Sequence, residues 1–359
     1  MRTHSLFALL CLSFAISFAQ ESRVTLLFAG DAMQHLPQIY AAKTDSGYNY
    51  DAVFELVKDK ISKADIAGIN FETTLGGKPY SGYPLFSSPN EYATALKNAG
   101  FNIFFTANNH ALDTGKKGLE QTISVIKKEG AKQTGTFESE EQRNLNYPLM
   151  IIKNGIRIAF LNYTYGTNGL VVEEPNIINF IDTALIKKDI EIAQLLKPDI
   201  MIAVMHWGEE YYTVPSSKQK ETAQFLLNND VRIIIGHHPH VVQPIQINSV
   251  NDSIASTVFY SLGNFVSNQR KQNTDGGMLA EIVIAKDDKY GPVKIESVDY
   301  SLVWVHKYYE KQKPVYRLLP ITEEDVGKEI SLYEELTPYE KYSFERFVKA
   351  ANKTATMNY

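Results

Sequence analysis

The chain has 359 residues, 44% of them hydrophobic and 21% charged, with a formal net charge of −5. That composition is that of a globular protein, and the mild acidity excludes the broad basic face that nucleic-acid binding needs. Cys11 is the only cysteine, so a chain shortened past it has neither structural disulfides nor thiolate metal sites, which suits an oxidising compartment.

An apolar run from Ser5 to Phe18 follows Arg2 and His4 and ends in Ser17-Phe18-Ala19. Small residues at 17 and 19 match a signal-peptidase site, so residues 1–19 are predicted to be a signal peptide. The product is then exported, periplasmic or extracellular, either free or associated with the cell envelope. Loss of Arg2 leaves 35 basic against 41 acidic residues, a net charge of −6. The leader is short for a bilayer span, and no later run is apolar enough to cross a membrane. Residues 20–359 read as a single domain, with a core over about 24–305 and a C-terminal extension over 306–359. No repeat, linker or low-complexity segment interrupts them.

Val24 to Ala29 is a compact apolar run ended by Gly30-Asp31 and is predicted as a buried first strand. Val53, Phe54, Val57 and Ile61 recur at helical spacing, so Tyr50 to Lys63 is predicted as a helix on a sheet. Ile66 to Phe71 is the next strand, followed after Glu72 by a Gly/Ser/Pro/Tyr-rich loop from Gly76 to Pro89, long enough to border a site. A helix starts at Ser88-Pro-Asn-Glu and stops at Gly100. Phe101 to Ala107 is a third strand, and Gly118 to Glu129 a helix. Asn154-Gly155 marks a hairpin between Leu149–Lys153 and Ile156–Asn162. A helix over Thr183–Leu196 leads to a strand over 201–205, and a helix-like segment separates it from Val231–Ile235. Val258–Leu262, Met278–Ala285 and Val293–Val305 are further strands, and residues 337–351 a terminal helix. Strands alternating with helices, with hairpins mixed in, predict an α/β fold with a mixed sheet or two sheets face to face.

Metal-competent side chains cluster where strands end: Asp31, Glu72, Asn109 with His110, His206, and the run Gly236-His237-His238-Pro239-His240. In open α/β sheets that rim is where ligands bind, and imidazole is the commonest side-chain metal ligand. Taken singly, Gly30-Asp31 also suits a turn, Glu72 a solvated or capping carboxylate, and Asn109-His110 a helix-capping loop. Three histidines within four residues are harder to read as plain structure. His238 and His240 are two apart, so on extended backbone they face the same side. Imidazole, carboxylate and amide oxygen without thiolate select Mn, Fe or Zn. A carboxylate bridging two ions ~3.5–4 Å apart is the usual two-metal hydrolytic centre, for which Glu72 or Asp31 could bridge and His110 act as acid.

Gly30-Asp31, Asn70-Phe-Glu72, Ala107-Asn-Asn-His110-Ala-Leu-Asp113-Thr-Gly115, His206-Trp-Gly-Glu-Glu-Tyr211, Gly236-His-His-Pro-His240 and Tyr260-Ser-Leu-Gly-Asn264-Phe265 together resemble the CapA family of bacterial capsule or poly-γ-glutamate synthesis proteins. The resemblance spans roughly residues 24–268. It implies a four-layer α-β-β-α sandwich of the metallophosphoesterase type, with two divalent metal ions at the strand ends. By that resemblance Asp31, Glu72, Asn109, His206, His238 and His240 are the metal ligands, with Glu72 bridging, and His110 is the catalytic histidine. Asp113 either orients His110 or starts the following helix. Glu209, Tyr211, Tyr212 and His237 are candidates to line a substrate pocket, and Asn264 either binds substrate or closes a turn. Two positions depart from the wider group. Met33 stands where a histidine is usual, with His35 two residues further on, and the bridging carboxylate is Glu rather than Asp.

Two functions follow from the resemblance. The first is an exported metal-dependent hydrolase, acting on a phosphoester or amide bond of an anionic cell-surface polymer or its precursor, alongside capsule synthesis machinery. The alternative is a non-catalytic accessory that binds nascent polymer for synthesis or export.

Overall fold

The computed structural model describes residues 22–287, 291–321 and 335–357, so the expected signal peptide and Cys11 lie outside the described residues. In chain order the elements begin with β1 (Ser22–Ala32), α1 (Leu36–Ala42), α2 (Asp51–Ser62), β2 (Ile66–Phe71), α3 (Asn90–Ala99), β3 (Ile103–Phe105), α4 (Gly115–Lys128) and β4 (Lys132–Thr134). They continue with β5 (Thr136–Phe137), α5 (Glu140–Asn146), β6 (Leu149–Lys153), β7 (Ile156–Thr164), β8 (Ile177–Ile178), α6 (Thr183–Leu195), β9 (Ile200–His206), α7 (Ser217–Asn228) and β10 (Val231–His237). The last are β11 (Ile245–Val250), β12 (Ser253–Phe259), β13 (Asn264–Val266), β14 (Gly276–Lys286), β15 (Lys294–Glu310), β16 (Lys313–Ile321) and α8 (Pro338–Ala355).

Strand alternation builds the layers. Val24, Leu26 and Phe28 of β1 share an inner core with Ile158 and Phe160 of β7, Ile202 and Val204 of β9, and Ile233 and Ile235 of β10. Their neighbours Leu27 and Ala29 face outward against Phe54, Val57 and Leu96 of α2 and α3. On the other side, Met201, Ala203 and Met205 face outward against Ile186 and Ile190 of α6 and Leu226 of α7. A strand whose side chains alternate must feed two cores when both its faces are covered. The result is helices, sheet, sheet, helices.

The strand order is β4-β3-β2-β1-β14-β15-β12-β10-β9-β7-β6, with β16 on β15, β11 on β12 and β13 on β1. The two half-sheets join through the pair Ile254–Ile295 between β12 and β15. Neighbours β1, β2, β3 and β4 are parallel, as are β7, β9, β10 and β12, while β14, β15, β16, β6 and β11 run antiparallel to their partners. The sheets are therefore mixed. Asn154 and Gly155 take the positive φ values of a hairpin turn between β6 and β7, 47° and 77°, as an Asn-Gly pair favours.

Several boundaries differ from the expectation. The strand expected at Val258–Leu262 runs instead over Ser253–Phe259, because Tyr260 to Leu262 leave the ladder to approach the site loops. β3 is three residues rather than seven. β11 and β16 carry polar or proline-broken runs without clean alternation, and α1 is too short for a helical period, so none of the three was legible. Leu319 and Ile321 of β16 and Phe347 of α8 join the inner core, so residues beyond 305 take part in packing.

Candidate metal centre

Parallel strands deliver their carboxyl ends to one rim. β1 brings Asp31, the residue after β2 is Glu72, the turn after β3 carries Asn108 to His110, and β9 and β10 end on His206 and His237. Two glycines let the backbone come close enough. A Cβ on Gly30 would stand 2.0 Å from the Gly263 carbonyl oxygen, and one on Gly236 would stand 2.0 Å from that of Tyr260. Each glycine directly precedes a side chain of the site.

His238 and His240 converge for a different reason than the one expected. Their backbones are not extended but left-handed, with φ of 97° and 58°. Such conformations are uncommon for residues with a Cβ and cost of order 1–3 kcal/mol each. The turn brings the His240 ring and the His238 backbone N–H onto Asp31 at the end of β1, with the His238 ring against His206.

The acidic pair lies at the centre. Asn70 Nδ2 donates to Asp31 Oδ1 at 2.7 Å and to Glu72 Oε2 at 2.9 Å, tying the two carboxylates together. Asp31 Oδ2 accepts from His240 Nδ1 at 2.9 Å, and His237 Nδ1 stands 3.4 Å from Asp31 Oδ1. Glu72 Oε1 is 3.8 Å from both His206 Nε2 and His240 Nε2. His206 Nε2 lies 2.8 Å from Asn109 Oδ1. Two groups of ligand atoms, each within 4.8 Å, emerge: Asp31, Glu72 and His206 in one, and Glu72, His238 and His240 in the other. Glu72 belongs to both.

Burial, and then the charge of Asp31, pushes the Glu72 carboxyl well above the usual range. Burial also pushes Asp31 upward, but hydrogen bonds from His237 and His240 outweigh it and hold Asp31 well below. Burial lowers His206 far below its ordinary value, with His238 adding to the effect. His238 falls to about 3, first through burial and then through His240. Neutral imidazoles around a crowded carboxylate pair form a donor set for a divalent cation. Glu72 Oε1 and His238 Nδ1 are buried without a hydrogen-bond partner among the described residues. Buried polar atoms are normally paired, so these orphans fit a coordinating role and the residues present suit a bound metal.

The remaining candidates fall around this cluster. His110 Nδ1 lies 2.7 Å from Asp113 Oδ2, which also accepts from the Phe86 N–H at 2.7 Å. The Phe86 ring packs edge-on against His110 at 4.6 Å. Tyr211 stands 6.1 Å from His240, ring to ring, with Lys271 Nζ 3.6 Å from its centroid. Glu209 is exposed, and so is Tyr212. His237 is buried against Asp31. Asn264 is also buried, donates to the Thr274 carbonyl and to Gln269, and pairs in register with Asp31, so its side chain braces the loop beneath β1. His35 stands apart. Its Nδ1 accepts from the Asn268 N–H, and burial lowers it to about 4.

Four residues escaped the sequence reading. Asn70 bridges the carboxylates, and Asn108 donates to Asn70 Oδ1 and to the Phe71 carbonyl. Glu210 Oε1, not its neighbour Glu209, points toward His240 Nε2 at 3.9 Å. The Tyr165 ring packs 4.5 Å from that of His238. Asn70 carried a usable signal, because it sits two residues before Glu72 on a strand. The others are placed by loops without periodicity.

A family model described as bacterial capsule synthesis protein PGA_cap matches residues 25–269. The chain is 29% identical over 283 residues to a Bacillus anthracis protein named capsule biosynthesis protein CapA, covering 74% of this chain. It spans 65% of that relative's length. It is 28% identical over 311 residues to the Bacillus subtilis PGA biosynthesis protein CapA, covering 81% of this chain and 76% of the relative. Among solved structures, the calcineurin-like phosphoesterase YfkN from Bacillus subtilis aligns at a TM-score of 0.47 and 14% identity, over 79% of this chain and 90% of that one.

Proposed function

This protein belongs to the bacterial capsule synthesis family, and from that premise we propose that it is an exported, metal-dependent hydrolase. Its substrate class is a phosphoester or amide bond in an anionic cell-surface polymer or its precursor, handled beside the capsule synthesis machinery. The observation that supports this reading most is the membership of Glu72 in two ligand groups at once. Asp31, Glu72 and His206 would hold one divalent ion, and Glu72, His238 and His240 a second, with the Asn109 amide oxygen beside them. Mn, Fe or Zn suits this set. Bound there, such ions lower the pKa of water and neutralise developing charge.

The chain's own groups supply the rest. Hydrolysis adds water across the scissile bond, its oxygen going to phosphorus or acyl carbon and a proton going to the leaving oxygen or nitrogen. His110 provides that proton from Nε2, since its Nδ1 is engaged by Asp113 at 2.7 Å. Asp113 fixes the ring and stabilises the imidazolium from which the proton leaves. The Phe86 ring against His110 limits the water that reaches it. Lys271 over Tyr211 offers a positive charge beside the cluster for an anionic substrate, although the chain as a whole is acidic.

The second reading, an accessory that binds nascent polymer without cleaving it, draws on the printed names of both curated relatives, which say biosynthesis and not hydrolysis. Metal analysis separates the two. The purified protein is expected to carry about two equivalents of Mn, Fe or Zn, lost in an H238A/H240A variant. With metal present, H110A should lower turnover of a phosphoester or γ-glutamyl substrate by about 10²-fold or more. No metal above background after reloading, or no cleavage by the loaded protein, would leave the accessory as the better account.

A further inference from the structure

A pocket of about 610 Å³, separate from the metal cluster, opens between α1, the start of α2 and the β15–β16 hairpin. Gln34, Gln38, Asn49, Tyr40, Tyr50 and Tyr316 line it. Glu310, Lys311 and Lys313 also line it, with Lys313 Nζ donating to the Lys43 carbonyl. Its uncharged polar groups are amides and phenols.

Two of them have nothing to bond. Gln34 and Tyr50 are only 1% and 2% exposed, yet Gln34 Oε1 and the Tyr50 hydroxyl have no hydrogen-bond partner among the described residues. Both adjoin Tyr92. The Tyr50 and Tyr92 rings are 5.3 Å apart, and the Tyr92 hydroxyl bonds to the Gln34 side chain and to the Met33 carbonyl. Tyr92 is therefore committed and satisfies neither orphan. Burial pushes the Tyr50 phenol upward, so it stays protonated and can serve as a donor.

One unpaired acceptor and one unpaired donor in the same wall call for a ligand with an N–H and a C=O close together. We propose that this pocket binds the secondary amide of a small ligand, carried either by an acetylated amino sugar or by a short peptide segment. Gln34 Oε1 accepts from the amide N–H and the Tyr50 hydroxyl donates to its carbonyl. The half-exposed Tyr40 ring, 57% accessible, offers a face for the remainder of the ligand. Orphaned groups of this kind cost stability in the empty protein, a cost that fits a recognition role and serves no packing purpose.

The test titrates the purified full chain with N,N′-diacetylchitobiose, with N-acetyl-alanyl-alanine, and with cellobiose as a disaccharide lacking the amide. One of the two amide probes should bind, as read by calorimetry and a raised Tm, and cellobiose should not. The probe that binds identifies the source of the amide. Y50F should weaken that binding about tenfold, as for one lost hydrogen bond. In the ligand-free protein it should leave Tm unchanged or higher, because the hydroxyl it removes has no partner. Metal content should not change, since Tyr50 lies outside the cluster. Failure of both amide probes, equal binding of cellobiose, or a Y50F variant several degrees less stable without ligand would each overturn the proposal. None of these results depends on hydrolase activity.

Discussion

Replacing Asn70 by Asp tests whether the acidic pair is held together in the way the structure describes. The substitution changes almost no volume but turns a donor into an acceptor. In the wild type Asn70 Nδ2 donates to Asp31 at 2.7 Å and to Glu72 at 2.9 Å, both fully buried. Hydrogen bonds to charged groups contribute roughly 1.5–3 kcal/mol each, so losing two costs about 3–6 kcal/mol before any like-charge repulsion is added. For a chain of this size each kcal/mol shifts Tm by roughly 2–4 °C. With a chelator present at pH 7, N70D should therefore melt about 6–24 °C below wild type. Adding Mn or Zn should narrow the gap, because a cation favours three carboxylates over two and stabilises whichever form binds it more tightly. Thermal melts followed by circular dichroism, with chelator and with metal, give both numbers. A chelated N70D within about 2 °C of wild type would refute the bridging role of Asn70.

Two further outcomes rest on other parts of the molecule. His35 falls from an ordinary 6.5 to about 4, mainly through burial. Its lowered folded value means that the unfolded chain binds the proton first, so the His35 contribution is complete above pH 6.5 and lost as pH falls through 4. The full amount is at most roughly 3 kcal/mol, less because the ring keeps some exposure, and H35Q should flatten that part of a urea-stability profile. A wild-type slope that survives in H35Q would assign the pH dependence elsewhere. G236A places a Cβ 2.0 Å from the Tyr260 carbonyl oxygen, a backbone atom that cannot step aside alone. It should cost about 1–3 kcal/mol in a urea melt and, by shifting His237 and His238, weaken metal retention. Wild-type stability there would show that β10 can move away from the 260–263 segment.

The layers were legible wherever a strand alternates and both faces are covered. β2 matches its expected span residue for residue, and β9 and β10 run one and two residues past the ends of their apolar runs. Legibility failed where long-range pairing, not local pattern, makes the strand. β16 contains Pro314 and Pro320 and exists because β15 offers it a partner along nine residue pairs. In the site, the residue types at strand ends could be read from the sequence, because only a few side chains suit a metal. The shape of the 236–240 turn could not. Two apart on an extended strand and two apart in a left-handed turn look identical as letters, and only the second is present.

Met33 and Glu72, the two unusual positions near Asp31, share one structural setting. Met33, at the position two residues after Asp31, is buried, and its backbone is fully engaged. Its N–H donates to the Val266 carbonyl, and its own carbonyl accepts from Gln38 and Tyr92. That bonding turns the chain directly into α1, whose N-cap is His35. The His35 backbone caps α1, its ring Nδ1 accepts from the Asn268 N–H, and the residue belongs to neither ligand group. The neighbourhood of Asp31 is filled from other strands, by Asn70 from β2 and by His237 and His240 from the end of β10. Those groups bond the Asp31 carboxylate itself and leave Glu72 Oε1 as the carboxylate oxygen without a partner. The longer Glu side chain is thus the one free to reach both ligand groups. A shorter aspartate at position 72 would withdraw that oxygen by one methylene from His206 and His240, each already 3.8 Å away.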